Sequence, residues 1–436
     1  MERSIMQNLL AWKDRSNRKP LILLGARQVG KTYILKEFGK IYFENVAYIN
    51  CDNNEQARDL FAQGYDMKRI ILMIGAITEQ DIKAGKTLII FDEIQELRHG
   101  LASLKYFCED APVYHVAVAG SLLGLTLHQG ESFPVGKVNT LHLYPMTFSE
   151  FLLAKGKKQL ADLLQSGDWD LLKALKTTLI DTLREYYFVG GMPEAVKVYL
   201  ATNSTVAVRE IQNEILDAYD KDISKHAPTE QVVRINQVWH SIPSQLAKEN
   251  RKFIYGVIKQ GARAKEYELA IQWLIDAGLV HKINRVSAVA MPLKIYEDIS
   301  SFKLYTLDCG LLGAMNNTPA IMLLTPQKEE VGKGAFTENF VCTQLVSISN
   351  LSLAYFTKDN SQQEIDFIVQ ADTHIFPIEV KAEENLQGKS LKTFLTEHPD
   401  LQGLRFSMND YRTQERITNI PLYATKEYIQ GFMPSE

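Results

Sequence analysis

One segment constrains the fold of this chain more than any other: Leu21-Ile22-Leu23-Leu24-Gly25-Ala26-Arg27-Gln28-Val29-Gly30-Lys31-Thr32. Four apolar residues, a loop with glycine at both ends and a helix-prone run from Tyr33 to Phe38 follow in order. The spacing G-x-x-x-x-G-K-T between a strand and a helix predicts a phosphate cradle rather than an ordinary turn. Gly25 and Gly30 let the loop that also contains Ala26, Arg27, Gln28 and Val29 curl, so that its N–H groups face phosphate oxygens. The helix that follows adds the positive end of its dipole. Lys31 would reach the β and γ phosphates, and the Thr32 hydroxyl would ligate Mg²⁺. The segment implies that the chain binds a nucleoside triphosphate.

Leu88-Ile89-Ile90-Phe91-Asp92-Glu93 has the pattern of a buried parallel strand ending in two carboxylates. At the carboxyl end of that strand Asp92 would hold Mg²⁺ through its water shell, and Glu93 would polarise the attacking water. Taken alone, Asp92 reads equally as the cap of a helix starting near Ile94; the glycine loop upstream favours the metal role. A further strand over 113–119 leads into Gly120-Ser121. Ser121 is placed to touch the γ phosphate or the water, and reads equally as a helix cap. Strand-like runs at 21–24, 46–50, 88–91, 113–119 and 138–143 alternate with helical or loop segments, which predicts a parallel α/β sheet with helices on both faces.

With 436 residues, the chain has room for two to four domains with proper cores. No apolar run approaches the roughly 18 residues of a membrane span, and Met1-Glu2-Arg3-Ser4 does not open a secretory signal. Cys51, Cys108, Cys309 and Cys342 are far apart, so neither a zinc site nor a disulfide framework is suggested. A reduced, cytoplasmic setting is expected. The net charge of -4 leaves no global basic footprint for nucleic acid.

After Tyr144-Pro145-Met146 apolar residues recur at helical spacing to about His226, as at Phe148, Phe151, Leu152, Leu171, Leu172 and Leu175, which predicts a helical bundle or lid. Gly190-Gly191-Met192-Pro193-Glu194 interrupts it as a defined turn, or as a contact that senses nucleotide. Residues 229–290 read as a small helical domain closed by strands, with Leu269, Trp273 and Leu274 for its core, as a winged helix requires. Arg251, Lys252, Lys259, Arg263 and Lys265 form either a phosphate-contacting face or a solvated surface.

A second constellation lies near the C-terminus. Glu364-Ile365-Asp366-Phe367-Ile368-Val369 and Phe376-Pro377-Ile378-Glu379-Val380-Lys381 both alternate with period 2. If these strands pair, Asp366, Glu379 and Lys381 share one side. Asp366 and Glu379 would hold Mg²⁺, and Lys381 would activate water or stabilise the charged transition state. Glu338, on an amphipathic helix with Phe336, Phe340, Val341 and Leu345, would supply a third carboxylate. A half-buried hairpin with a polar outer face gives the same alternation.

At this point the chain resembles prokaryotic AAA-type ATPases that carry a C-terminal domain of unknown function related to PD-(D/E)xK nucleases. The resemblance rests on the glycine loop, Leu88-Ile89-Ile90-Phe91-Asp92-Glu93, Ala119-Gly120-Ser121, Leu143-Tyr144-Pro145-Met146-Thr147-Phe148-Ser149-Glu150-Phe151 and Gly190-Gly191-Met192-Pro193-Glu194. It continues through Leu304-Tyr305-Thr306-Leu307-Asp308-Cys309-Gly310-Leu311, Glu338-Asn339-Phe340-Val341 and the two alternating strands. It implies an α/β fold with four parts: a P-loop NTPase core over 1–150, a helical lid over 151–228, a winged helix over 229–290, and a restriction-endonuclease-like α/β domain over 291–436. Gly191 and Pro193 look like the lid turn of STAND-type regulatory ATPases. Asp366, Glu379 and Lys381 match the nuclease motif, with Glu338 as its helical acid. Such relatives often carry an arginine near Lys137, and a lysine lacks the planar fork of an arginine finger.

The expected function is an ATP- and Mg²⁺-dependent ATPase coupled to a nuclease-like domain acting on DNA or RNA. The alternative is an ATP-dependent switch or scaffold whose nuclease fold is inactive, and a ring-forming motor is a third reading. A homo-oligomer or a protein partner fits each of these, and a membrane fits none.

Overall fold

The computed structural model describes residues 1–120, 134–248, 251–325, 333–358, 363–382 and 389–434. The chain divides into two compact units, one of residues 2–144 with 276–278, the other of residues 145–275 with 279–436.

The first unit is built on five strands: β1 (Leu21–Leu24), β2 (Asn45–Asn50), β3 (Thr87–Asp92), β4 (His115–Gly120) and β5 (Asn139–His142). All neighbouring strands are parallel, in the order β2-β3-β4-β1-β5. Strands buried on both faces read as continuous apolar runs, which is why Leu-Ile-Leu-Leu and Thr-Leu-Ile-Ile-Phe-Asp form β1 and β3. Ile22, Leu24, Ile89, Phe91, Val116 and Val118 share one core with Ile70, Ile74, Leu101, Leu104 and Phe107 of the helices Met67–Thr78 and Gly100–Glu109. The alternating residues Leu21, Leu23, Leu88, Ile90, Ala117 and Ala119 project from the opposite face and are buried as well, so both faces are covered. The expected parallel α/β sheet is present.

The second unit opens with helices Phe148–Ala154, Lys158–Ser166, Trp169–Ala174, Lys176–Val189, Pro193–Thr202, Thr205–His226 and Thr229–Leu246. The first begins at a capping box: Thr147 Oγ1 accepts from Glu150 N, and the Glu150 carboxylate accepts from Thr147 N. Eight strands follow: β6 (Val280–Val286), β7 (Glu297–Thr306), β8 (Ser352–Thr357), β9 (Glu364–Ala371), β10 (His374–Val380), β11 (Gly403–Ser407), β12 (Arg412–Gln414) and β13 (Ile417–Pro421). They form one mixed sheet in the order β12-β13-β11-β10-β9-β8-β6-β7. β6, the strand read as closing the small helical domain, is an interior strand between β7 and β8. The 229–290 segment therefore shares its sheet with the residues that follow.

Helical periodicity misassigned three side chains. Leu171 and Leu269 are 53% and 67% exposed, and Leu175 is also exposed, whereas Leu172, Trp273 and Leu274 are buried. Period alone marks a stripe; the packing partner decides which neighbour of that stripe is covered.

Gly190-Gly191 forms a clasp inside this unit. Helix Lys176–Val189 ends at Gly190, whose φ is 75°. Gly191 N then donates to Asp308 Oδ2 at 2.5 Å, and Gly191 O accepts from Met146 N at 2.7 Å. Asp308 Oδ1 accepts from Leu311 N at 2.9 Å, capping helix Cys309–Met315. Burial pushes the Asp308 carboxyl up to about 6 against the pull of these backbone donors. Tyr186 Oη donates to Met146 O at 2.5 Å and closes the same knot. Among the described residues no helix is long and apolar enough to cross a membrane.

Candidate functional site: the nucleotide loop and the C-terminal acidic cluster

In an open parallel sheet, ligands gather outside the carboxyl ends of the strands. The loop after β1 and the end of β3 meet at that edge. Gly25 has φ 155°, and a Cβ there would stand 2.2 Å from Leu143 O, so only glycine fits between the loop and the chain leaving β5. Gly30, with φ 95°, caps the helix Lys31–Tyr42 and points the start of that helix into the loop. Ala26 and Val29 are buried, Gln28 is exposed with φ 65°, and Arg27 is half-buried. Arg3 Nη1 donates to Val29 O at 3.2 Å and braces the loop.

Lys31 Nζ folds into the loop it follows, donating to Gly25 O at 2.9 Å and Ala26 O at 2.8 Å. Burial lowers its pKa to about 8; Glu93 and Asp92 oppose that shift, and Arg27 adds to it. Thr32 Oγ1 donates to Asp92 Oδ2 at 2.7 Å. The hydroxyl proton goes to the carboxylate, so the lone pairs of Thr32 Oγ1 remain available to a cation. A glycine cradle with no room for a Cβ, a buried ammonium and a hydroxyl–carboxylate pair fit a magnesium nucleotide. Glu93 sits in the left-handed region (φ 55°, ψ 48°), where its N–H donates to Ala119 O at 3.1 Å and its carboxylate accepts a short hydrogen bond from Gln95 Nε2. A non-glycine residue held there is strained, and such strain concentrates at functional sites. Ser121 lies outside the described residues.

The C-terminal constellation has the strand pairing that the alternation predicts, together with cations that it does not reveal. β9 and β10 do pair, with Phe367 opposite Ile378, so that Asp366 and Glu379 stand one step further along the ladder. Glu379 is buried, and its two oxygens meet Arg405 Nε at 3.0 Å and Lys381 Nζ at 3.2 Å. Arg405 is the register partner of Glu379 on β11. Asp366 Oδ2 accepts from Val380 N at 2.7 Å. Glu338 is buried on helix Lys333–Val346, ion-paired with Arg251 and with Lys303 Nζ at 3.9 Å, and accepts from Tyr305 Oη at 3.1 Å. Lys303 Nζ also pairs with Glu364 at 2.6 Å. Burial and the charge of Asp366 push the Glu338 carboxyl up to about 7, against the pull of Arg251 and Lys303. Among the described residues no three His, Cys, Asp or Glu side chains converge to hold a metal ion.

Sequence reasoning placed Arg251 on a basic surface; it is instead the cation of Glu338. It missed Lys303, Arg405, Tyr48 and Gln95, and it quoted Asp308 in a motif without giving it a role. Lys303 carried one readable signal, a lysine inside the apolar run Phe302-Lys303-Leu304-Tyr305. A buried lysine in a strand requires a partner. Lys137 is paired with Glu109 at 2.7 Å.

Residues 17–152 match the model of an AAA domain, and residues 180–321 and 333–425 match two domains of unknown function, DUF8612 and DUF4143. No curated protein matches the chain. Among solved structures, a Walker-type ATPase of Pyrococcus abyssi is similar at 14% identity and TM-score 0.45, covering 72% of this chain and 95% of that one. The RuvB Holliday junction branch migration motor of Thermotoga maritima is similar at 14% identity and TM-score 0.30, covering 64% and 89%. The Orc1 protein of Aeropyrum pernix, solved in complex with DNA, is similar at 12% identity and TM-score 0.25, covering 74% and 92%. The family match and the geometry of the loop together make residues 17–152 an ATP-binding AAA-type P-loop ATPase domain.

Proposed function

We propose that the chain is an ATP-hydrolysing regulatory switch whose C-terminal domain has a nuclease-like constellation held in ion pairs and does not cut nucleic acid. In this reading Lys31 and the loop 25–30 bind the phosphates, while Thr32 and Asp92 hold Mg²⁺. Bound Mg²⁺ supplies charge neutralisation between the phosphate oxygens. Glu93, aimed by Gln95, orients and deprotonates the water.

One observation carries the choice of a switch over a nuclease. Glu338, Glu364 and Glu379 each face a basic side chain of the protein, from Arg251, Lys303, Lys381 or Arg405. Carboxylates needed for a metal are more useful unpaired; here they serve as counter-charges to buried or half-buried cations. The likeness of Gly191 and Pro193 to the lid turn of STAND-type ATPases favours a nucleotide-regulated role, and the pairing of Lys137 gives a ring motor no support.

The reading has a direct test in stability. Lys303 is fully buried among Glu338, Glu364 and Asp366, which outweigh the cost of burial and raise its pKa. Removing one partner of a buried pair leaves uncompensated charge and costs about 3–5 kcal/mol. Lys303→Ala should therefore lower the unfolding free energy of the second unit by that order, read from the shift of its denaturant midpoint, and ATP hydrolysis should persist in folded protein. A Lys303→Ala protein of unchanged stability would contradict the reading.

A further inference from the structure

Asp92 has a second donor that the nucleotide-binding motif does not contain. Tyr48 lies on β2 two residues before Asn50, and Asn50 is the register partner of Asp92. Side chains alternate along a strand, so Tyr48 and Asp92 project from the same face. The Tyr48 hydroxyl donates to Asp92 Oδ2 at 3.1 Å, the same oxygen that accepts from Thr32 at 2.7 Å. Lys36 Nζ, on the helix that follows the glycine loop, lies 3.3 Å from the centroid of the Tyr48 ring and holds it by a cation–π contact. The ring is thus fixed from the phosphate-binding helix while its hydroxyl fixes the carboxylate. Among the described residues both side-chain donors to Asp92 sit on Oδ2, which leaves Oδ1 as the oxygen for a ligand.

We propose that Tyr48 is a positioning residue for Asp92, keeping one carboxylate oxygen occupied so that the other is presented to Mg²⁺ and its water shell. The inference rests on the proposed role of Asp92 in holding the metal. A phenol hydroxyl carries its own proton, so Tyr48 serves Asp92 as a hydrogen-bond donor. It neither exchanges a proton with water nor touches phosphate; it acts only through the carboxylate. Outer partners of this kind typically change metal affinity or activity by roughly 10–100-fold when removed.

Tyr48→Phe removes the hydroxyl and keeps the ring, including its contact with Lys36. Full-length protein would be titrated with Mg²⁺ while binding of a fluorescent ATP analogue is read, with no turnover required. The Mg²⁺ half-saturation point should rise by about tenfold. Analogue binding in EDTA, which rests on Lys31 and the loop, should stay within about twofold of wild type, as should the melting temperature without nucleotide. The same direction should appear in hydrolysis as a fall in kcat with little change in KM. Asp92→Asn is measured in parallel. If Asp92→Asn shifts the Mg²⁺ titration and Tyr48→Phe does not, the role of Tyr48 is overturned while that of Asp92 stands. If Asp92→Asn shifts nothing, the underlying reading fails and the inference with it. A Tyr48→Phe protein that loses Mg²⁺-free binding and melts early would mark Tyr48 as structural, which also overturns the proposal.

Discussion

Replacing Lys31 by alanine should reduce ATP hydrolysis by about 10²–10³-fold, the scale of losing one preorganised charge donor in a water-poor site. The placement of its ammonium gives the reason. Lys31 Nζ already lies among the backbone oxygens of the cradle, at 2.8–2.9 Å from Ala26 O and Gly25 O, so it has only to exchange these for phosphate oxygens. The same burial makes binding sensitive to pH. Lys31 has its pKa lowered to about 8 from an ordinary 10.5, so below about 8 the ammonium is charged and ready for phosphate. Above that value the free protein holds a neutral amine that must take up a proton on binding. ATP affinity should therefore be flat from pH 6.5 to 7.5 and weaken by up to about tenfold per pH unit above 8. Lys31→Arg, which stays charged, should remove the fall at the cost of weaker binding throughout. Equilibrium binding of a fluorescent ATP analogue from pH 6.5 to 9.5 measures both effects. An affinity that does not change above pH 8 in the wild type would contradict the account of Lys31.

The second large effect concerns Gly191. A Cβ at this position would stand 2.1 Å from Met146 O and 2.7 Å from Met146 N, both backbone atoms. Gly191→Ala must therefore separate the two strands of chain that the Met146–Gly191 hydrogen bond joins, and with them the bond to Asp308. A cost of about 3–5 kcal/mol is expected, at the upper end for a single methyl group because the obstructing atoms cannot turn away. Chemical denaturation should show a lower midpoint, with ATP binding by the first unit retained in native protein. Loss of less than about 0.5 kcal/mol would mean that the clasp is not a determinant of stability. The clasp also accounts for a glycine pair before Met192-Pro193: the turn is used as a joint between Met146 and Asp308, within one compact unit.

How much of this was legible in the sequence depends on the reach of each interaction. The glycine loop and β3 could be read directly because the relevant residues are adjacent and strand burial on both faces leaves a continuous apolar signature. The pairing of β9 with β10 was legible from alternation, since a period of 2 fixes which side chains share a face. What alternation cannot give is what stands across from that face. Arg405 neutralises Glu379 from a strand 26 residues away, and Tyr305 and Lys303 reach Glu338 across 33 and 35 residues respectively. The reading of Asp366, Glu379 and Lys381 as a metal site was made without those cations in view. Tyr48 was invisible for the same reason: its hydroxyl meets Asp92 only because β2 and β3 pair in register. The exposed Leu171, Leu175 and Leu269 mark the opposite limit, where a local helical period was right and the covered face was not.

The most direct test of the central claim is a single incubation of full-length protein with ATP, Mg²⁺ or Mn²⁺, plasmid DNA and structured RNA, read for phosphate release and for strand cleavage in the same tube. Wild type, Lys31→Ala and Asp366→Ala are compared. The account predicts phosphate release that disappears in Lys31→Ala, survives in Asp366→Ala, and is accompanied by no cleavage of either nucleic acid. Cleavage by the wild type that disappears in Asp366→Ala would contradict it, and would mean that the ion pairs around Glu338 and Glu379 open to admit a metal during the nucleotide cycle.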